Sequence, residues 1–347
     1  MVEPMANKER SKIYEDVVQL LKKGSFTILQ IADKTKINWE TAKNAVETLN
    51  RINLLSSHDE SGKTYYTINE ANFLQLNKDT LLGLPLNDKQ LETTKGLFKR
   101  ITELWPKDSP RHLNKTFLQK ILVKLVRKEK ISVVPYGLYL FGQCAVLYNY
   151  EDLSDIQSIK SYDPALKKII VEYQQIPSTK ELLDRHYIEE GNELYKTRIL
   201  IHDTLLKPFT DDSLVQLKKL IRQLVFIFPN TEDNTEIIEC VNGFFSAAVR
   251  IINGYNLKEV EDLRPLLNEV FTSLWELMAT FNLYQSLLNQ KWYDKTILDR
   301  YYKLRKEIIL TDVETCIFTL LDHCPPLNIP KDSPILKFKG ILESKPQ

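Results

Sequence analysis

The residues best suited by type and spacing to hold a cation are His202 and Asp203, neighbours in the chain, with His186 upstream. An imidazole and a carboxylate side by side can ligate one ion together. A second set, Cys316, His323 and Cys324, holds soft ligands near the C-terminus, but no fourth ligand is indicated and the set spans the end of an expected helix. Reduced, buried cysteines are the expected state. The ten glycines form no Gly-x-x-x-x-Gly-Lys and no Gly-x-Gly-x-x-Gly, so loops that cradle phosphates for nucleotide chemistry are excluded. Neither a Gly-x-Ser-x-Gly elbow nor a His-Glu-x-x-His occurs. We therefore expect no enzyme, no catalytic or metal-binding residues and no cofactor, with His202 and Asp203 as a structural pair.

The stretch 199–208 around His202 and Asp203 is similar to the helix of metal-dependent His-Asp phosphohydrolases. That resemblance implies a metal-assisted hydrolase as one alternative. Here Leu206-Lys207 stands where those enzymes usually follow with Gly-Lys, and no motif marks a distal aspartate.

A different chemistry, hydrogen bonding to base edges and phosphates, is offered by Trp39, Glu40, Thr41, Lys43 and Asn44. Asparagine suits adenine, glutamate accepts from cytosine, and threonine and lysine suit phosphates. Trp39 has an equal claim to pack on a neighbouring helix or strand. Lys63, flanked by Ser61 and Thr64, would approach the backbone or the minor groove, opposed by acidic Asp59 and Glu60.

The elements that must position these side chains follow from periodicity. Residues 11–23 repeat Ile13, Val17, Val18, Leu20 and Leu21 at helical spacing and stop at Gly24; residues 28–34 give a short helix with Leu29, Ile31 and Ala32 on its apolar side. Asn38 can cap a third helix over 39–53, whose Ala42, Ala45, Val46, Leu49 and Ile52 face inward while Glu40, Lys43, Asn44, Glu47 and Asn50 face out. Strands at 54–57 and 64–68 flank the polar turn 58–63. In that order the run from Ile28 to Ile68 resembles the winged helix-turn-helix of small bacterial and archaeal regulators. The resemblance covers about an eighth of the chain, is shared by many families, and implies binding of double-stranded DNA through the third helix, which such modules place in the major groove.

Charge qualifies that implication. Residues 1–83 carry 11 basic and 11 acidic side chains, whereas residues 84–130 carry 12 and 5, and residues 131–347 carry 24 and 30. Phosphate neutralisation supplies most nonspecific affinity for DNA, so a neutral module needs help from the basic block or a second subunit. Lys115, Lys120, Lys124, Arg127, Lys128 and Lys130 are the nearest supply, and Lys120, Lys124, Arg127 and Lys128 join the candidate DNA-binding set.

At 347 residues the chain exceeds one ordinary core, and we expect a first domain over 1–83, a basic helical segment with a hairpin over 84–150, and an all-α domain over 151–347. A linker is expected at 74–86. Helices at 91–105 and 113–128 then lead into strands at 131–134 and 138–141 around Pro135-Tyr136-Gly137, an order open to a second, degenerate winged helix. Further helices are expected at 165–175, 179–206, 213–228, 235–253, 257–290 and 294–323. The stripe from Leu263 to Leu288 serves as bundle core or dimer seam, with core favoured. The uncharged run 131–150 is long enough to span a bilayer, yet Pro135, Gly137, Gly142, Gln143 and Asn149 within it favour a buried hairpin and helix, so no membrane contact is expected. The fold class is mainly α.

Together these features predict a cytoplasmic, DNA-binding transcriptional regulator, homodimeric, with a helical dimerisation or sensing domain. The alternative of another class is a scaffold whose winged helix docks a protein partner.

Overall fold

The computed structural model describes residues 10–51, 54–69, 79–109, 112–150, 153–190, 192–229 and 231–326. The chain is mainly helical, as expected, with two small antiparallel hairpins among the described residues.

Helices α1 (Arg10–Leu21), α2 (Ile28–Thr35) and α3 (Trp39–Arg51) come first, followed by β1 (Leu55–Glu60) and β2 (Lys63–Ile68). Local chemistry sets each boundary. Thr27 and Gln30 cap α2 reciprocally, side chain to backbone in both directions. Lys36 closes the same helix in a left-handed conformation, φ 57°. Asn38 Oδ1 accepts from the Thr41 amide at 2.7 Å, the cap expected for α3. Ile13, Val17, Val18, Ile31, Ala42, Ala45, Val46 and Leu49 fill the space between the helices. Leu29 departs from expectation and stands exposed, because the buried face of α2 follows Ile31, Ala32 and Thr35 and leaves position 29 off it. Ile52, expected on the inner face of α3, lies outside the described residues.

The first hairpin is tighter than the six-residue turn expected. Strand pairing runs to Glu60 opposite Lys63, because Ser61 (φ 51°) and Gly62 (φ 71°) both adopt the positive φ that a two-residue hairpin turn requires. Phe26 pairs with Tyr66 through two 2.9 Å backbone bonds, which tie the α1–α2 connection to the hairpin.

The expected linker lies partly outside the described residues; its remainder, from Asp79, leads into a single 3-10 turn at Leu81–Gly83. Helices α4 (Asp88–Leu104) and α5 (Lys115–Lys128) then enter the second hairpin, β3 (Tyr136–Tyr139) and β4 (Gly142–Ala145). This hairpin sits about five residues later than the strands expected at 131–134 and 138–141. Its turn is Leu140-Phe141 rather than Pro135-Tyr136-Gly137, with Gly142 taking φ 82°. At Gly137, β3 passes close to α12: a Cβ there would lie 2.7 Å from Leu283 Cδ1.

The remaining helices are α6 (Asp163–Gln174), α7 (Thr179–Glu190), α8 (Glu193–Leu205), α9 (Asp211–Ile227), α10 (Thr235–Gly254), α11 (Leu257–Asp262), α12 (Arg264–Asn289) and α13 (Lys295–Asp322). Two expected helices are each divided. Residues 179–206 break before Asn192, whose Oδ1 accepts from the Tyr195 amide and starts α8. Residues 257–290 break at Leu263, after which Pro265 suits the first turn of α12. The long stripe on α12 is core: Leu267, Val270, Phe271, Leu274, Leu277 and Met278 are buried.

Two apolar clusters result. One, from α4 to α7, contains Phe98, Ile121, Leu122, Ile169, Tyr173 and Leu182, and so runs across the segment boundary expected at 150. The larger cluster joins α1–α3 to α8–α13, and α13 touches α1, α3 and the 3-10 turn. No helix among the described residues is long and apolar enough to cross a membrane.

Candidate nucleic-acid interface

Along α3 the inward and outward faces separate as their spacing dictates. Ala42, Ala45, Val46 and Leu49 are buried, while Trp39, Glu40, Asn44, Glu47 and Asn50 are exposed and Thr41 and Lys43 partly so. Trp39 keeps half of its surface in solvent, 50%, rather than burying against a neighbouring element. Its ring lies 5.5 Å from Lys43 Nζ, and Lys43 also pairs with Glu47 at 3.7 Å, one turn on. The outer face therefore carries one partly neutralised cation, the carboxylate of Glu40, two carboxamides and an aromatic plane. Because the amides of the first turn are unpaired within the helix, its N-terminus adds donors and a partial positive charge.

Beside it, the hairpin tip presents Lys63, which is exposed. The Thr64 hydroxyl donates to Asp59 at 2.7 Å, and His58 stacks on Tyr65 with ring centres 5.6 Å apart. Asp59 is thus occupied within the hairpin and not only a repelling charge.

Lys34 and Lys36, on the end of α2 and the turn into α3, are exposed and were not singled out by sequence reasoning. Their signal was available: the Thr35–Ile37 turn precedes a third helix whose N-terminal half was itself a candidate. Lys34 Nζ lies 5.6 Å from the Phe26 ring centre.

The basic block behaves differently from the exposed stripe expected. Lys120 is a correction: it is 2% exposed, and its ammonium donates to the carbonyls of Phe141 at 2.5 Å and Gln143 at 2.8 Å. It cannot reach a phosphate. Carbonyls in and beside the turn between β3 and β4 take their donors from side chains. Tyr195 donates to the carbonyl of Tyr139, and Trp275 to that of Leu140.

Lys124 is half-buried, paired with Glu172 at 2.5 Å and set 5.4 Å from the Tyr173 ring centre. Arg127 donates to Gln143 Oε1 at 3.0 Å but remains exposed, as do Lys128 and Lys130. Lys115 lies over Tyr148, 3.7 Å from the ring centre. On α4, Arg100 is engaged by Asp163 and Glu103. Much of the excess positive charge is thereby spent inside the fold, and α5 packs chiefly on α4, α6, α7 and β4.

The residues considered for metal chemistry have other partners. Asp203 pairs with Lys180. His186 Nε2 lies 2.8 Å from the Tyr173 hydroxyl, and burial, with Lys120, Lys124 and Arg127 nearby, pushes its pKa down to about 3. Burial, with Arg198 nearby, lowers the pKa of His202 as well. His323 Nδ1 is bound to the Thr319 carbonyl at 2.8 Å, Cys324 donates weakly to Ala247 and Leu320, and Cys316 is buried. No group of three or more potential ligands capable of holding a metal ion occurs among the described residues.

Comparison with protein families, curated proteins and solved structures finds no match to this chain.

Proposed function

We propose that this chain is a DNA-binding transcriptional regulator in which residues 10–69 act as a winged helix-turn-helix. One observation carries the reading: α3 buries Ala42, Ala45, Val46 and Leu49 while Trp39, Glu40, Lys43 and Asn44 stand outward on its N-terminal half, beside an exposed hairpin with Lys63 at its tip. A helix so presented fits the major groove, and the hairpin follows the backbone alongside. Asn44 and Glu40 address base edges; Lys43, Thr41 and Lys63 address phosphates. With Lys120 and Lys124 engaged inside the fold, further cations come from Lys34, Lys36, Arg127 and Lys128, or from a second copy in a cytoplasmic homodimer. The helical domain serves as the dimerising or sensing part.

The test is a salt series of binding to random duplex DNA. Affinity falls steeply with salt, and Lys43→Ala or Lys63→Ala each weakens binding and lowers the slope by about 1, the amount one phosphate contact contributes. Absence of binding at low salt overturns the proposal.

A second reading, docking of a protein partner on the same surface, is favoured by the exposure of Leu29, 61%, together with Trp39. In that case Leu29→Ser and Trp39→Ala abolish partner capture while the lysine variants leave it unchanged.

A further inference from the structure

A cleft lies at the joint between α1–α3 and the C-terminal helices. It measures about 330 Å³. One wall is Tyr14, Val18 and Leu49 of the N-terminal helices; the floor is the 3-10 turn; the far side is Tyr139 and Leu140 of the second hairpin with Leu304 and Ile308 of α13. Into this largely apolar space projects one ion pair, Arg305 on α13 with Glu276 on α12, 2.7 Å apart; Lys22, a solvent-exposed residue whose charge is screened, also lines it, with Gln19.

Three features define what fits. An apolar cavity of about 150 Å³ holds one benzene ring, so this one holds roughly two fused rings. The Arg305–Glu276 pair is charge-neutral as a unit, so it gives no net attraction to an ion: an added carboxylate would meet Glu276, and an added ammonium would meet Arg305. The pair also retains hydrogen-bonding capacity. A guanidinium has five N–H groups and a carboxylate two oxygens, and Arg305 Nη2 donates to Glu276 Oε1. The complement of adjacent N–H donors and a carboxylate acceptor is a group that both accepts and donates, as a carboxamide or lactam does. A pure hydrocarbon would cover the pair without replacing its water, at a cost.

We infer that the cavity between the N-terminal helices and the bundle is a binding site for a neutral, two-ring small molecule carrying an amide-like donor and acceptor. Because Leu49 lies on the inner face of α3 and α1 packs behind it, a molecule in this joint bears on the helix proposed above to contact DNA. The site itself stands on the cavity and the ion pair; only its consequence for DNA rests on that reading.

The probe is 2-naphthamide, with 2-naphthoate and naphthalene as comparators, titrated into the full chain by calorimetry. The expected result is binding of the amide at least tenfold tighter than either comparator. Leu304→Trp, which fills the space, removes binding, and Glu276→Gln, which keeps its shape, weakens the amide tenfold or more while changing naphthalene little. Circular-dichroism melting checks that the variants fold. Should Leu304→Trp unfold, Val18→Phe fills the cavity from the opposite wall. No binding of 2-naphthamide, equal binding of all three probes, or unchanged binding in a folded cavity-filling variant overturns the inference. Calorimetry needs no DNA, so failure to bind DNA would overturn the regulator reading and leave this result standing.

Discussion

His186 shows what a partly buried titratable group does to the pH dependence of a fold. Its imidazole, on α7, is partly buried beside Tyr173 of α6, with Lys120, Lys124 and Arg127 on α5 all adding positive potential. Both burial and these cations disfavour the imidazolium, so the folded value falls to about 3 from the ordinary 6.5. Between those limits the unfolded chain binds more protons than the folded one. Stability therefore rises with pH through that window and is lost as pH falls from 6.5 toward 3, by at most about 1.4 kcal/mol per pH unit. His186→Gln removes this dependence. Urea unfolding at pH 7 and pH 4.5 measures it: the wild type loses about 2 to 3 kcal/mol more than the variant on acidification. Equal losses would show that His186 remains accessible to protons in the fold. The same enclosure accounts for Lys120, an ammonium that sequence places on a cationic stripe and that the fold uses to satisfy two carbonyls.

At the scale of elements, helices were legible wherever a stripe and a cap coincided. The Asn38 cap and the Ala42–Leu49 stripe located α3 because both signals are local. Breaks inside long apolar runs were missed at Asn192 and Leu263, since the periodicity on either side is continuous and only a single cap or a proline marks the division. The second hairpin was displaced for another reason. Pro135 and Gly137 look like turn residues, yet Pro135 ends the approach to β3 by giving its carbonyl to Val146, and Gly137 lies within the strand to clear Leu283. Neither role is visible without α12 in place. The candidate site follows the same rule, with α3 and Lys63 legible and the fate of Lys120 and Lys124 set by elements distant in sequence. Gly137→Ala tests the close approach: a methyl group 2.7 Å from Leu283 Cδ1 forces one partner to move. We expect a loss of about 1 to 3 kcal/mol in unfolding free energy, the usual cost of overpacking. Leu283→Ala relieves the clash, so the double variant is less destabilised than the sum of the two single changes; strict additivity would mean that the residues do not meet.

Across the whole molecule, the arrangement of cores decides how the N-terminal helices communicate with the rest. Among the described residues, α1 and α3 share one apolar cluster with α13, while α4 to α7 build another. A perturbation on α13 should therefore reach α3 without passing through the basic helices. Ile308 is the position to perturb, being buried on α13 against the joint. Truncation by Ile308→Ala removes packing worth about 2 to 4 kcal/mol, less where neighbours can relax into the adjoining space. Native-state hydrogen exchange then shows faster opening in α1, α3 and α13, with protection in α5 and α6 retained, because local opening follows contiguous packing. If α1 and α3 kept their protection while α13 lost it, the N-terminal helices would be an independent unit. An occupant of the joint would then have no mechanical route to the outer face of α3, and coupling between the proposed ligand site and DNA would vanish even with both sites intact.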